Sequence, residues 1–416
     1  MKRTLIGLFL ACLFLSLFLS CGKRDNPVRP RYLFNDPWQI GRSFPSLQGN
    51  LMGDSPVKEV FVYLPPQYDP VNHPPQSLNG FAVLYLLHDF GGDYETFISV
   101  YKVAQIADQL IAEGQIQPMI IVMPDASSIS LASDPLKKEK AGTFYTNSAL
   151  LGRYEDYILH EIIDTIEANF ATVGTRVEGQ WIPDKAYHAI SGHGMGGYGA
   201  LKIAMDYDTL FASVSAMSPF TSFESFLSRD IIDKVFEENG IDPDDISYSS
   251  YKSLSPWSDS QHPDKPYSHL VFAMAAAFSY HDPADPDNSN FFSLTEIAGK
   301  KYGVDLPFDS SRTIPPGSAI WYKWLIHDLK TKLINDPSGF GDMSIHFDCG
   351  DQDQLNLLDG VEAFDQLLSL YGKEHTYKKY SGYPNYPADH DNFIYDRLPE
   401  ILKFHSRHFG PPKWER

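Results

Sequence analysis

The stretch Ile190-Ser191-Gly192-His193-Gly194-Met195-Gly196-Gly197-Tyr198-Gly199-Ala200 decides the fold. It leads from an apolar segment, Ala186 to Ser191, through clustered glycines into a helix-prone run, Met195 to Asp206. A strand-to-helix turn with the frame G-x-S-x-G is a nucleophile elbow, which presents a serine at its tip. Here the frame reads G-H-G-M-G, and Gly194 stands where the serine belongs. A glycine suits the strained backbone of such a turn, because it carries no Cβ. It also has no atom to attack with. The frame of a catalytic turn is present and its nucleophile is missing.

Working outward, strand-like and helical segments alternate. Val57 to Leu64 alternates as a half-buried strand. Phe81 to Leu87 and Met119 to Met123 are apolar runs suited to buried parallel strands, the second closed by Pro124. Tyr94 to Glu113 reads as a helix stopped by Gly114, and Tyr154 to Phe170 as an amphipathic helix. Ala212 to Met217 and Ser344 to Phe347 supply later strands. The alternation predicts an α/β fold with a mostly parallel sheet covered on both faces. Between Ser218 and Asp342 lie about 120 residues where one crossover helix would suffice. This stretch, about 219–342, is expected to be a cap inserted over the C-terminal edge of the sheet, where such folds place their sites.

The N-terminus reads as a processing segment. Lys2 and Arg3 precede an apolar run from Leu5 to Leu19, too short for a comfortable span, so residues 1–20 are expected to be a signal peptide. Phe18-Leu19-Ser20-Cys21 resembles a bacterial lipobox, which implies a diacylglycerol on Cys21. Residues 21–56 then form the lipidated cysteine, a polar tether and a lead-in to a domain spanning 57–408. Gly22 is not the Asp linked to inner-membrane retention, so an envelope protein on the outer membrane is expected. Of the three cysteines, Cys12, Cys21 and Cys349, only the last lies in the domain, which excludes an intradomain disulfide. The formal charge is -19, and loss of Lys2 and Arg3 makes it about -21. That balance argues against nucleic acid as a partner and against a polybasic membrane patch, so the membrane is expected to be met through the lipid.

Four blocks carry a family resemblance: Leu86-Leu87-His88-Asp89-Phe90-Gly91-Gly92, Phe144-Tyr145-Thr146-Asn147-Ser148, the elbow with Tyr198 to Lys202, and Asp348-Cys349-Gly350-Asp351-Gln352-Asp353. In this order they resemble the esterase D-like α/β-hydrolases, which include feruloyl and acetyl-xylan esterases and S-formylglutathione hydrolases, with mycolyltransferases more remote. The resemblance implies that Asp353 is the acid, that His390 is the base, and that the backbone N–H groups of Phe90 and Met195 form the oxyanion hole. Nucleophile, Asp, His is the chain order of such enzymes. The chain departs from the pattern twice. Gly194 replaces the nucleophile, and Asp89 replaces the first glycine of H-G-x-G-G. A carboxylate beside an oxyanion hole opposes the charge that develops there.

These departures lead to the expectation of a non-catalytic family member that binds a small-molecule or polysaccharide ester. Two alternatives stand beside it: an active hydrolase or acyltransferase using Ser191, Ser148 or a water on His390, and a scaffold with no ligand. Asp348, Asp351 and Asp353 are accounted for by the family motif and lack a histidine-rich ligand set, so neither metal nor cofactor is expected. Phe291, Phe292, Trp321 and Tyr322 in the insertion are candidates for stacking on a ligand, with core packing as the plainer role. Replacing Gly194 by serine is expected to restore ester hydrolysis, and adding Asp89→Gly to raise it further.

Overall fold

The computed structural model describes residues 32–33, 43–128, 141–257, 261–262 and 264–414. Residues 1–20, read as a signal peptide, Cys21 and most of the stretch read as a tether lie outside them. Eight strands form one sheet: β1 (Tyr32–Leu33), β2 (Val60–Tyr63), β3 (Ala82–Leu87), β4 (Met119–Pro124), β5 (His188–His193), β6 (Ser213–Met217), β7 (Ser344–Gly350) and β8 (His375–Tyr380). Their order is β1-β2-β4-β3-β5-β6-β7-β8. β1 and β2 join antiparallel, and every pairing from β4 to β8 is parallel. The helices that cover the sheet include α1 (Val103–Ala112), α2 (residues 154–169), α3 (Met195–Asp206), α4 (Arg229–Glu238), α5 (Pro266–Phe278), α6 (Leu357–Leu370) and α7 (Ile394–His408). No helix among the described residues is long and apolar enough to cross a membrane.

Two apolar cores sit on the two faces. Along β2, Val60 and Val62 enter one core and Phe61 and Tyr63 the other. The strand read as half-buried is therefore buried throughout, because helices cover both of its sides. The helix expected over Tyr94 to Glu113 is broken: a π turn at Thr96–Val100 is followed by Lys102 at φ 55°, and α1 starts only after it. Within α2 the turn Tyr157–Ile162 is also π-wound. Tyr32 and Leu33, inside the stretch read as tether, pair with Val62 and Phe61. The free edge of β2 has unpaired backbone groups to offer them. β8 escaped the reading because it is an edge strand, with Lys378 and Lys379 among alternating half-exposed positions.

The insertion is a second packed layer. It contributes α4, α5 and a hairpin, Phe291–Ile297 with Lys300–Asp305. Phe278 of α5 lies 5.5 Å ring to ring from Phe144 and 5.9 Å from Tyr198, both outside the insertion. Trp324 packs on Phe223 and Phe278. Phe292 is buried against Tyr251 and Phe272, whereas Tyr322 is exposed. The Phe278 contacts join the insertion to the core of the sheet, and the others pack the insertion on itself.

Candidate active site

The site forms where β5 ends. Gly194 has φ 52° and ψ -113°, a backbone state that side chains other than glycine rarely adopt. Its N–H donates to the carbonyl of Met217 at the end of β6, and its carbonyl accepts from Tyr198 N–H in α3. The turn is tight enough that a Cβ on Gly196 would lie 2.0 Å from the carbonyl oxygen of Leu87. This is the backbone of a nucleophile elbow, with Met195 as the first residue of the helix.

The loop after β3 brings Asp89 onto this turn. His88 holds the loop: its Nδ1 bonds the carbonyl of Asp89, its Nε2 accepts from Ala126 N–H, and Tyr145 donates to its carbonyl. Burial pushes the His88 imidazole down in pKa, which keeps it neutral in this bridging role. Asp89 points inward. Its Oδ1 accepts from Met195 N–H at 2.6 Å, and its Oδ2 lies 3.1 Å from His390 Nε2. A Cβ built on Gly194 would sit 2.0 Å from Asp89 Oδ1. The carboxylate thus fills the space above the elbow where a serine side chain would stand, and it takes the Met195 donor assigned to the oxyanion hole. Phe90, the other residue of that hole, follows in the chain; its ring and the Met195 side chain both crowd the Cα of Gly142.

The structure brings Asp353 and His390 together. His390 Nδ1 is 2.9 Å from Asp353 Oδ2, and Asp353 Oδ1 accepts from Leu355 N–H. Gln354 fixes the His390 backbone by accepting its N–H. Phe220 at the start of the insertion lies beside the His390 ring. Burial opposes a charge on His390, but Asp353 and Asp89, one on each nitrogen, raise its pKa well above the usual imidazole value. Burial likewise opposes a charge on Asp353, and the His390 cation and hydrogen bond outweigh it and lower the pKa. Asp89 is held at about 2: burial works against the anion, and the two neighbouring histidines and Met195 N–H outweigh it. His193 is itself driven down to about 3, chiefly by burial, and is neutral at physiological pH. The cation that holds Asp89 ionised there is therefore His390. An imidazolium clamped between two carboxylates has no free nitrogen with which to accept a proton.

The other sequence candidates are committed elsewhere. Ser191 accepts at 2.7 Å from Ser215, which in turn meets His405 Nε2; the three are fully buried. Ser148 donates to the carbonyl of Ala276 in α5. Asp348 is locked to Arg397, which also donates to Tyr380 and Ser218. Asp353 alone of the three clustered acids reaches the site. The residue that sequence reasoning left unplaced is His193, which sits inside the elbow frame and faces Asp89 with Nδ1 at 3.7 Å. Its signal was its position, next to the missing nucleophile.

Comparison with known proteins agrees with this fold. The family model Esterase, described as "Putative esterase", matches residues 57–392. Esterase Rv1288 of Mycobacterium tuberculosis is 32% identical over 140 residues, which are 33% of this chain and 25% of that one. An endo-1,4-beta-xylanase/feruloyl esterase of Xylanibacter ruminicola is 33% identical over 136 residues, 33% of this chain and 16% of that one. The chain thus spans a quarter or less of the length of these relatives. An S-formylglutathione hydrolase from Agrobacterium tumefaciens superposes with a TM-score of 0.50 at 16% identity, over 89% of this chain and 94% of that one, and shares the fold. An elbow after the fifth strand, an Asp–His pair on the loops beyond β7 and β8, and a family match across most of the domain place this chain in the esterase family of α/β-hydrolases.

Proposed function

We propose that this protein is a catalytically silent esterase-family member that binds a carbohydrate or acyl-ester ligand and is held at the bacterial envelope by a lipid on Cys21. The observation that carries the reading is the Asp89 carboxylate, bonded to Met195 N–H and His390 Nε2 above Gly194. It places negative charge where an ester reaction would develop its own. It also engages the nitrogen that a general base would use. A water activated by His390 is disfavoured for the same reason, and Ser191 and Ser148 are disfavoured by their buried partners. The ligand class is suggested by the xylanase/feruloyl esterase relative. The anchor rests on the basic start, the apolar run and Ser20-Cys21.

The reading is checked by offering the purified chain p-nitrophenyl acetate and methyl ferulate, with calorimetry on acetylated and feruloylated xylo-oligosaccharides. Turnover is expected to stay well under the ordinary enzyme range of about 1–10³ s⁻¹. Saturable binding of at least one oligosaccharide ester is expected. Turnover inside that range would overturn the silent reading. Silence without binding would leave a scaffold role instead.

A further inference from the structure

We propose that Asp89, His193 and His390 form a binding site for one divalent transition-metal ion of the zinc class. Among the described residues these three bring one ligand atom each within 4.8 Å of one another. Asp89 Oδ2 is 3.1 Å from His390 Nε2 and 3.7 Å from His193 Nδ1. Ligands around a tetrahedral ion at 2.0–2.1 Å stand about 3.4 Å apart, so two of the three edges already bracket that spacing.

The hydrogen bonds behind the two imidazoles make the argument specific. His193 Nε2 lies 2.8 Å from the carbonyl oxygen of His390. A carbonyl only accepts, so Nε2 carries the proton and Nδ1 presents a lone pair to Asp89. His390 Nδ1 lies 2.9 Å from the Asp353 carboxylate, so it too carries a proton on its outer nitrogen. Metal-bound histidines are oriented in this way, each donating its far N–H to a carboxylate or carbonyl. A proton shared between His390 and Asp89 can satisfy that pair. It leaves the His193 lone pair facing a carboxylate oxygen, an acceptor against an acceptor. An ion at the centre serves all three at once, taking the place of the shared proton and releasing it to solvent.

The donor set selects the ion. Two imidazoles and a carboxylate suit zinc, cobalt or nickel, whereas magnesium and calcium take oxygen ligands. The ligands are pre-positioned: His193 ends β5, and Asp89 and His390 sit on loops pinned by His88 and Gln354. The Asp89 side chain is 16% exposed and the two imidazoles nearly closed off, so one side of the site opens toward solvent for a remaining ligand. Gly194 is part of the device, because a Cβ there would displace Asp89.

The test titrates chelator-stripped full-length chain with Zn²⁺ by calorimetry and with Co²⁺ by visible absorption. One equivalent is expected to bind, with the intense d–d bands of a four- or five-coordinate Co²⁺ site. His193→Gln keeps a donor toward the His390 carbonyl and removes the Nδ1 ligand. Asp89→Asn keeps the shape and removes the charge. Each is expected to weaken binding at least hundredfold, and Asp353→Asn, which touches no ion, by about 10–100-fold. Zn²⁺ is expected to raise the melting temperature of the wild type and of neither ligand variant. Wild type without stoichiometric binding, or with only the weak bands of a six-coordinate ion, overturns the proposal whether or not the variants fold. Unchanged affinity in two folded ligand variants overturns it as well. Ester turnover in the same samples is scored separately, so the silent reading and the metal site can fail independently.

Discussion

Asp89 and Gly194 are two halves of one change. A side chain at 194 and the Asp89 carboxylate in its present position exclude each other, since Cβ and Oδ1 would be 2.0 Å apart. This alters the expectation for Gly194→Ser drawn from sequence alone: the single substitution must first displace a charge held by Met195 N–H and His390. The clamp also has a pH signature. The pKa of His390 is raised, so its contribution to stability is full below the unfolded value of about 6.5 and is lost as pH rises through the higher folded value. Asp89 is lowered to about 2, so its contribution is present above about 3.9 and is lost as pH falls toward 2. Chemical denaturation of metal-free Asp89→Asn against wild type is therefore expected to show a deficit of about 1–3 kcal/mol between these limits, narrowing at both ends. A deficit independent of pH would mean that the pair is not an ion pair. The Asp353–His390 pair was legible from chain order and motif. The role of Asp89 was not, because Asp89 and Met195 meet across 106 residues of sequence and only the folded loop decides which way the carboxylate turns.

At the scale of elements, the sequence was read best where burial is complete. β3, β4 and α3 fall within a residue or two of their expected ends, since unbroken apolar runs and a glycine-rich turn leave little freedom. It was read worst where tertiary contacts override local pattern: the π turn at Thr96–Val100, the edge strand β8, and the hairpin within the insertion. The insertion itself was recognised by length, but its packing was not. Ser148 bonds Ala276, Tyr198 donates to the His327 carbonyl, and Asp328 accepts from Phe223 N–H. The first two contacts tie the insertion to the Phe144–Ser148 segment and to α3, and the third braces the insertion internally, so it is expected to unfold with the sheet. Trp324→Ala, which empties a fully buried site, should cost about 3–5 kcal/mol. It should shift a single denaturant transition seen alike by near-UV and far-UV circular dichroism. Separate transitions for the two signals would instead describe a detachable lid.

On the scale of the whole molecule, a chain of net charge -19 carries a family fold over 57–392, and its candidate site depends on a few atoms above one turn. The proposed anchor predicts that Cys21→Ser moves the protein from the membrane fraction to the soluble fraction. Unchanged membrane association would exclude lipidation as the tether. The central claim is that Asp89 occupies the place of the missing nucleophile, and turnover measures it most directly. Steady-state hydrolysis of p-nitrophenyl acetate should be compared for wild type, Gly194→Ser, Gly194→Ser with Asp89→Gly, and that double variant with His390→Ala. In a serine protease, the nucleophile is worth about 10⁶ in kcat. Wild type and the single variant are expected to be silent, the double variant active, and the activity lost with His390. Wild-type turnover in the ordinary range, or a single variant as active as the double, would contradict the account.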